Sequence, residues 1–319
     1  MMKHYNIPVF VPHKGCPNDC VFCNQKKITG ICEAETLGRT EEIITEHLST
    51  IKRPYFAEIA FFGGSFTGID LSLQKEYLKI AKKYVDMGEV DGIRLSTRPD
   101  YISGEILRML KSYGVTAVEL GAQSMDDEVL LKNRRGHTAD DTKKAVRLLK
   151  EYGFETGLQM MTGMYGSDTE KDIFTGREIA KLKPDTVRIY PTVVLSETEL
   201  ENLYKDGKYV PTSLETSVEV CAALYRIFDE EKIKIIRMGL QSTDTICEKG
   251  SIVAGAYHSA FGELVRSRLL RDEMEEEVKS GKRVIEVPAK KLSAAIGQKR
   301  ANLTYFKEKY GIDIEVKGI

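Results

Sequence analysis

Three thiols sit within eight residues in the run Gly15-Cys16-Pro17-Asn18-Asp19-Cys20-Val21-Phe22-Cys23-Asn24. A C-x3-C-x2-C spacing puts three thiolates on one tight loop, able to hold three corners of a cubane iron–sulfur cluster. No fourth cysteine follows at an obvious spacing, so one iron of such a cluster would stay open to another ligand. Phe22, just before the third cysteine, is placed to shield the cluster from water. The alternative is a zinc site with a distant fourth ligand such as Cys32 or His13, although structural zinc more often sits on paired C-x2-C knuckles. Cys32, Cys221 and Cys247 are scattered, and small buried residues are the default reading for them.

The elements that must position this loop are legible as a strand–helix alternation over the first 240 residues. The run 5–11 reads as a strand that delivers the chain to the cysteines. Further strands are expected at 57–62, 92–97, 117–121, 155–160 and 186–191, with patterned helices at 70–87, 102–113, 138–152 and 168–182 between them. Such alternation implies parallel strands joined by right-handed crossovers. Six units suit a partial (β/α)6 barrel better than a closed eight-fold one, with a doubly wound open sheet as the weaker alternative. Polar and glycine-rich residues follow the strands at their carboxyl ends, where α/β folds place ligands.

The division expected is 1–240 for the barrel and 241–319 for a carboxyl-terminal extension. In that extension 258–280 reads as a long charged helix. A β-α-α-β unit follows: a strand at 284–287, a helix from Pro288, the loop 297–300, a second helix to Tyr310 capped by Gly311, and a strand at 312–316.

At 319 residues, 42% apolar and 30% charged, the composition is that of an ordinary globular protein. Net charge is -1, so nucleic-acid affinity would have to come from a local patch rather than from bulk charge. No apolar run approaches the roughly 18 residues that span a bilayer. The first residues lack the apolar segment of a signal peptide. A cytoplasmic location is the expectation, and clustered thiols in a reducing compartment point to metal rather than to disulfides.

The cysteine segment resembles the signature loop of the radical S-adenosylmethionine (SAM) superfamily. Other blocks are similar to one branch of it, the radical SAM domain of the catalytic subunit of Elongator and its bacterial and archaeal relatives. These blocks are residues 61–67, 96–101, 118–124, 133–138 and 188–192, in the expected order across most of 6–205. The resemblance implies an enzyme with a [4Fe–4S] cluster on Cys16, Cys20 and Cys23. It also implies reductive cleavage of SAM to a 5′-deoxyadenosyl radical, with an electron donor such as flavodoxin or ferredoxin. It implies that Gly63, Gly64 and Ser65 hold the methionyl group, since glycines let backbone carbonyls approach an ammonium closely. Arg98, Ser124 and Gln159, at other strand ends, are expected at the SAM carboxylate or ribose, or else as inter-strand braces. Gly163 opens a turn similar to the one that contacts adenine in this family. Glu119 is either a site acid or a buried partner of Arg94 or Arg188, and His137 organises a loop. His258 and Glu263 serve a site or, equally well, cap and pack a helix.

The Elongator subunit carries an acetyltransferase-like domain after its radical SAM region, and this sequence stops before one. Its acetyl-CoA-dependent uridine modification is therefore not carried over. The β-α-α-β unit instead resembles a minimal KH-type RNA-binding core. In place of the usual GXXG loop it has Gly297-Gln298-Lys299-Arg300, where Arg300 trades close approach for a phosphate contact. Together with Lys282, Arg283, Lys290, Lys291, Lys307 and Lys309, Lys299 and Arg300 make the tail locally basic. RNA, and tRNA in particular, is the expected substrate. A small molecule such as a tetrapyrrole, or a non-catalytic RNA-binding role with a structural metal, are the alternatives.

Overall fold

The computed structural model describes residues 3–11, 16, 20–24, 28, 36–243, 246, 248 and 250–319. Cys32, Cys247 and His13 lie outside them. Strands β1 (Lys3–Phe10), β2 (Tyr55–Phe62), β3 (Gly92–Thr97), β4 (Val115–Gln123), β5 (Glu155–Thr162) and β6 (Thr186–Pro191) pair in parallel, each beside its predecessor. After the short β7 (Val193–Leu195), β8 (Lys234–Met238) adds a seventh strand beyond β6. Because the order never reverses, the sheet winds in one sense, as a partial barrel does and a doubly wound sheet does not. β1 and β8 form its two edges among the described residues.

The helices between strands begin where short polar side chains cap them. Asp70 accepts from the backbone of Ser72 and Leu73 ahead of Leu71–Asp86. Ser103, Thr138 and Asp168 do the same for Gly104–Ser112, Ala139–Glu151 and Thr169–Lys181. Each such cap stabilises a helix by about 1 kcal/mol. The apolar stripes of these helices cover one face of the sheet. There Ile59, Phe61, Leu95, Leu120 and Leu158 form a continuous core with Phe66, Tyr77 and Leu107.

Strand residues of the opposite parity carry charge. Glu58, Arg94 and Glu119 are buried on the other face of β2, β3 and β4. Arg94 donates to Glu58 at 2.9 Å and to Glu119 at 3.2 Å, and Arg188 donates to Glu119 at 2.6 Å. His4 on β1 lies 2.9 Å from Glu58, and Glu155 on β5 lies 2.8 Å from Arg94. Gly157 makes room for this network. A Cβ there would lie 2.9 Å from both Glu119 Cγ and Thr186 Oγ1. Of the two sequence readings of Glu119, the buried partner holds, and it pairs with both arginines.

β7 pairs antiparallel with β9 (Ile252–Gly255). The helix Phe261–Lys279 then leads into the terminal unit. Here β10 (Val284–Val287) pairs in parallel with β11 (Glu315–Gly318), and the helices Leu292–Ile296 and Ala301–Tyr310 lie between them in sequence. Its core of Ile285, Val287, Ala295 and Phe306 packs on Leu270, Met274 and Val278 of the long helix. The last strand starts later than the expected 312. Ile312 and Ile314 pack against this core before pairing with β10 begins, with Val284 opposite Glu315.

Candidate functional site

Residues 21–24 of the cysteine segment are tied by hydrogen bonds to the segments that follow β4 and β7. Val21 N–H donates to Asn133 O at 3.4 Å, and Leu200 N–H donates to Val21 O at 2.7 Å. Asn24 Nδ2 reaches Ser196 O at 3.2 Å. Val21 and Phe22 are buried against Met164, Leu200 and Tyr209, with Cys20 and Cys23 beside them. Phe22 therefore sits in an apolar cluster with Cys20 and Cys23 packed against it. Among the described residues, no three His, Cys, Asp or Glu side chains are gathered as a set for a single metal ion.

Residues 133–138 form the cradle. Asn133 Nδ2 donates to Val129 O and Tyr165 O, both at 2.8 Å, fixing the turn that receives Val21. Arg135 places Nη1 3.2 Å from Cys20 Sγ, while its Nη2 donates to Gly121 O at 2.7 Å. His137 donates from Nε2 to Ala122 O at 3.1 Å. Burial, aided by the charge of Arg135, pushes the His137 pKa down to about 4, so the ring is neutral. It organises the loop, as read from the sequence. Arg135 is the residue that sequence reasoning passed over. Its signal was its place inside a matched block, with no chemistry assigned to it.

At the carboxyl ends of β2 and β3, Ser65 and Arg98 come together. Ser65 Oγ lies 2.9 Å from Thr97 Oγ1 and accepts from Arg98 N–H at 3.3 Å. Its hydroxyl is thus a buried brace between the ends of β2 and β3, next to the half-exposed Gly63 and Gly64. Gly63 has φ +89°, a left-handed conformation that favours glycine. Arg98 grips Asp100 with two bonds, Nε to Oδ1 at 2.9 Å and Nη2 to Oδ2 at 2.8 Å. Burial opposes its charge, but Asp100, with Cys20 beyond it, holds the guanidinium above its usual range. Arg98 Nη1 is buried and has no hydrogen-bond partner among the described residues.

The other expected contacts divide. Gln159 donates to Gln123 Oε1 at 3.3 Å, and Gln123 Nε2 would lie 3.1 Å from a Cβ on Gly121, as Arg135 Nη2 would at 3.4 Å. Gln159 therefore adjoins the cradle. The Ser124 hydroxyl is used within its own turn, near Thr175 Oγ1 at 3.2 Å and accepting from Asp126 N–H at 3.1 Å. Gly163 has φ +67°, and a Cβ there would meet Thr212 Oγ1 at 2.5 Å. Its N–H donates to Asp172 at 2.8 Å and its carbonyl accepts from Tyr209 at 2.7 Å, so the turn is shaped in advance. Behind it lies a polar cavity of about 190 Å³ lined by Thr162, Asp168, Asp172 and Ser217. Burial raises the Asp172 carboxyl to about 6 against the hydrogen bonds of Ser167 and Gly163. His258 Nδ1 accepts from Ala260 N–H at 3.0 Å, and Glu263 pairs with Arg266 at 2.8 Å, which makes them helix-start and surface contacts.

The terminal unit presents a different surface. Lys299 and Arg300 are exposed and hold φ of +50° and +63°, a left-handed turn that side chains seldom adopt. Asn302 anchors this turn from beneath, its Nδ2 donating to Ser267 O at 3.1 Å and Ala295 O at 3.0 Å. Lys282, Lys307 and Lys309 pair with Glu277, Asp313 and Glu275. Among the described residues, no helix is long and apolar enough to cross a membrane.

Residues 10–174, just over half of the chain, match the family model of the Radical SAM superfamily, and 184–271 match the Radical SAM C-terminal domain. A tRNA uridine(34) acetyltransferase of Methanocaldococcus jannaschii is 32% identical over 228 residues, which is 65% of this chain and 41% of that protein. Elongator complex protein 3 of Homo sapiens is 34% identical over 136 residues, 42% of this chain and 25% of that one. The chain thus spans less than half the length of either. The solved structure of archaeal Methanocaldococcus infernus Elp3 with an N-terminal deletion superposes with a TM-score of 0.66 at 25% identity, covering 98% of this chain and 69% of that one. The coproporphyrinogen III oxidase HemN of Escherichia coli shares the fold, with a TM-score of 0.53 at 17% identity over 72% of this chain and 52% of its own. With its cysteines held beside the carboxyl ends of a partial parallel barrel and its similarity to Elongator relatives, this chain belongs to the radical SAM superfamily of enzymes.

Proposed function

We propose that this enzyme binds a [4Fe–4S] cluster through Cys16, Cys20 and Cys23, cleaves SAM reductively, and modifies tRNA. The observation that carries the reading is the pair of buried guanidiniums beside Cys20. Arg135 contacts its sulfur at 3.2 Å, and Arg98 keeps a buried nitrogen without an acceptor among the described residues. A buried donor left unpaired costs about 1–3 kcal/mol, so this setting fits an anionic group that would complete it. Thiolates, a cluster and a carboxylate are all such groups. A cubane also asks less of the thiols than one metal ion does, because each binds its own iron.

In this reading Gly63 and Gly64 present backbone carbonyls to the SAM ammonium, Arg98 turns its spare nitrogen to the carboxylate, and Gln159 meets the ribose. The turn at Gly163 borders the adenine. Ser124 supports its own turn instead of the ligand. The chemistry that the cluster and SAM supply when bound is one-electron C–S cleavage to methionine and a 5′-deoxyadenosyl radical that abstracts hydrogen. Phe22 and its apolar pad keep water from that space, and flavodoxin or ferredoxin is the class of protein that delivers the electron.

Residues 1–240 are the catalytic unit in this proposal, and 241–319 carry the RNA contact. The tRNA-modifying relatives favour RNA over a metabolite. Lys299 and Arg300 provide exposed charge on a rigid turn for a phosphate backbone. The test is anaerobic reconstitution with iron and sulfide, then dithionite and SAM, assaying 5′-deoxyadenosine. Product is expected from the native chain and none from the Cys16/Cys20/Cys23→Ala variant. Weakened tRNA binding by Lys299→Glu/Arg300→Glu, with a shallower salt dependence, is the expected second result. Native-level tRNA binding by that variant sinks the RNA assignment of the terminal unit. Absence of 5′-deoxyadenosine, with zinc copurifying, sinks the enzymatic reading.

A further inference from the structure

We propose that Arg135 is a positioning residue that sets the reduction potential of the cluster held by Cys20, an inference that rests on reading the cysteine loop as a [4Fe–4S] site. A guanidinium is a planar fork with fixed donor directions. One tooth of this fork, Nη2, is pinned to Gly121 O at 2.7 Å at the end of β4, and the other, Nη1, then points at Cys20 Sγ at 3.2 Å. Arg135 is only 7% exposed, so its charge acts with little screening by water.

Sulfur and guanidinium are also held by the same piece of chain. Asn133 O receives Val21 N–H, next to Cys20, and Arg135 lies two residues further on. This backbone bond holds Cys20 near the segment that carries Arg135. Reducing the cluster adds one negative charge. Hydrogen bonds to sulfur and a fixed cation nearby stabilise that state and raise the potential. Among the described residues, the charged neighbours are Arg98, which acts in the same direction, and Asp100, which is engaged by Arg98. His137 is neutral and adds no charge.

The experiment uses the reconstituted full chain and follows the reduced cluster by electron paramagnetic resonance through a redox titration. Two variants separate charge from shape: Arg135→Lys keeps the cation and Arg135→Gln keeps a neutral donor. At the potential where the native cluster is half reduced, the Gln variant should show a reduced-to-oxidised ratio about tenfold smaller. That factor is about 59 mV for one electron. The Lys variant should stay within about threefold of native. A fully loaded Gln variant that titrates like native overturns the proposal. So does an equal shift in both variants, which would assign the effect to geometry alone. Two variants that fold with native circular dichroism yet hold no cluster also overturn it, because Arg135 would then anchor the loop without tuning it. A native chain that never takes up iron and sulfide is a different result, since it removes the site reading itself.

Discussion

The barrel carries two sets of arginines, and they are treated in opposite ways. Toward the amino ends of the strands, Arg94 and Arg188 are locked among Glu58, Glu119 and Glu155. Burial works against their charge, and the carboxylates overcome it, so both stay firmly protonated. At the carboxyl ends, among the described residues, Arg98 has one carboxylate and a buried nitrogen to spare, and Arg135 is turned to a thiol. The floor spends its charge within the protein, while the mouth keeps positive charge available beside the cysteines. One sheet therefore separates a set of charges that holds the strands in place from a set that faces chemistry.

The largest stability effect should come from breaking the floor. Glu119→Leu leaves two buried guanidiniums short of a partner and should destabilise by about 3–5 kcal/mol, read from urea unfolding. Arg98→Gln at the mouth should cost no more than about 1 kcal/mol, because Asp100 can turn toward water. Equal costs at the two sites would erase the distinction. A smaller effect is expected from Gly157→Ala. It keeps every charge and only crowds Glu119, so a loss of about 1–3 kcal/mol follows from overpacking. A neutral outcome would mean that the network can be rebuilt without the glycine.

A further effect is a pH dependence. His137 has its pKa lowered to about 4 in the folded chain, against about 6.5 unfolded. Between those values the unfolded state binds the extra proton, so stability falls as pH drops from 6.5 toward 4. Asp172 runs the other way, since its carboxyl is raised to about 6, and it favours folding as pH falls over much of the same window. The two partly offset in the native chain. Comparing His137→Gln with native isolates the histidine, and the variant should lose roughly 2 kcal/mol less between pH 6.5 and 4.5. Parallel pH curves would place His137 in a more hydrated setting than the cradle provides.

Much of the frame was legible because it is encoded locally. The helices expected at 70–87, 138–152 and 168–182 appear at 71–86, 139–151 and 169–181, since a capping side chain and an apolar stripe are properties of neighbouring residues. β8 was not legible. Its sequence Lys-Ile-Ile-Arg-Met alternates weakly, and it becomes a strand by pairing with β6. The β7–β9 pair joins segments too far apart for any local pattern to announce. Ser124 shows the same limit within the site. Its position at a strand end was readable, but the partner that claims its hydroxyl, Thr175, lies on a helix far along the chain.

By itself, then, the sequence determined that three thiols share one loop, that polar turns follow parallel strands, and that the last 36 or so residues fold as a β-α-α-β unit with exposed cations on its turn. Spacing, periodicity and capping are short-range, and they survive in a linear reading. Only the tertiary structure decided that Glu119 belongs to Arg94 and Arg188, that Ser65 braces Thr97, and that Arg135 meets Cys20 from 115 residues away. Those pairings depend on strand register and on where crossovers return the chain. A guanidinium finds its partner through the fold, and no local property of its own segment says which one.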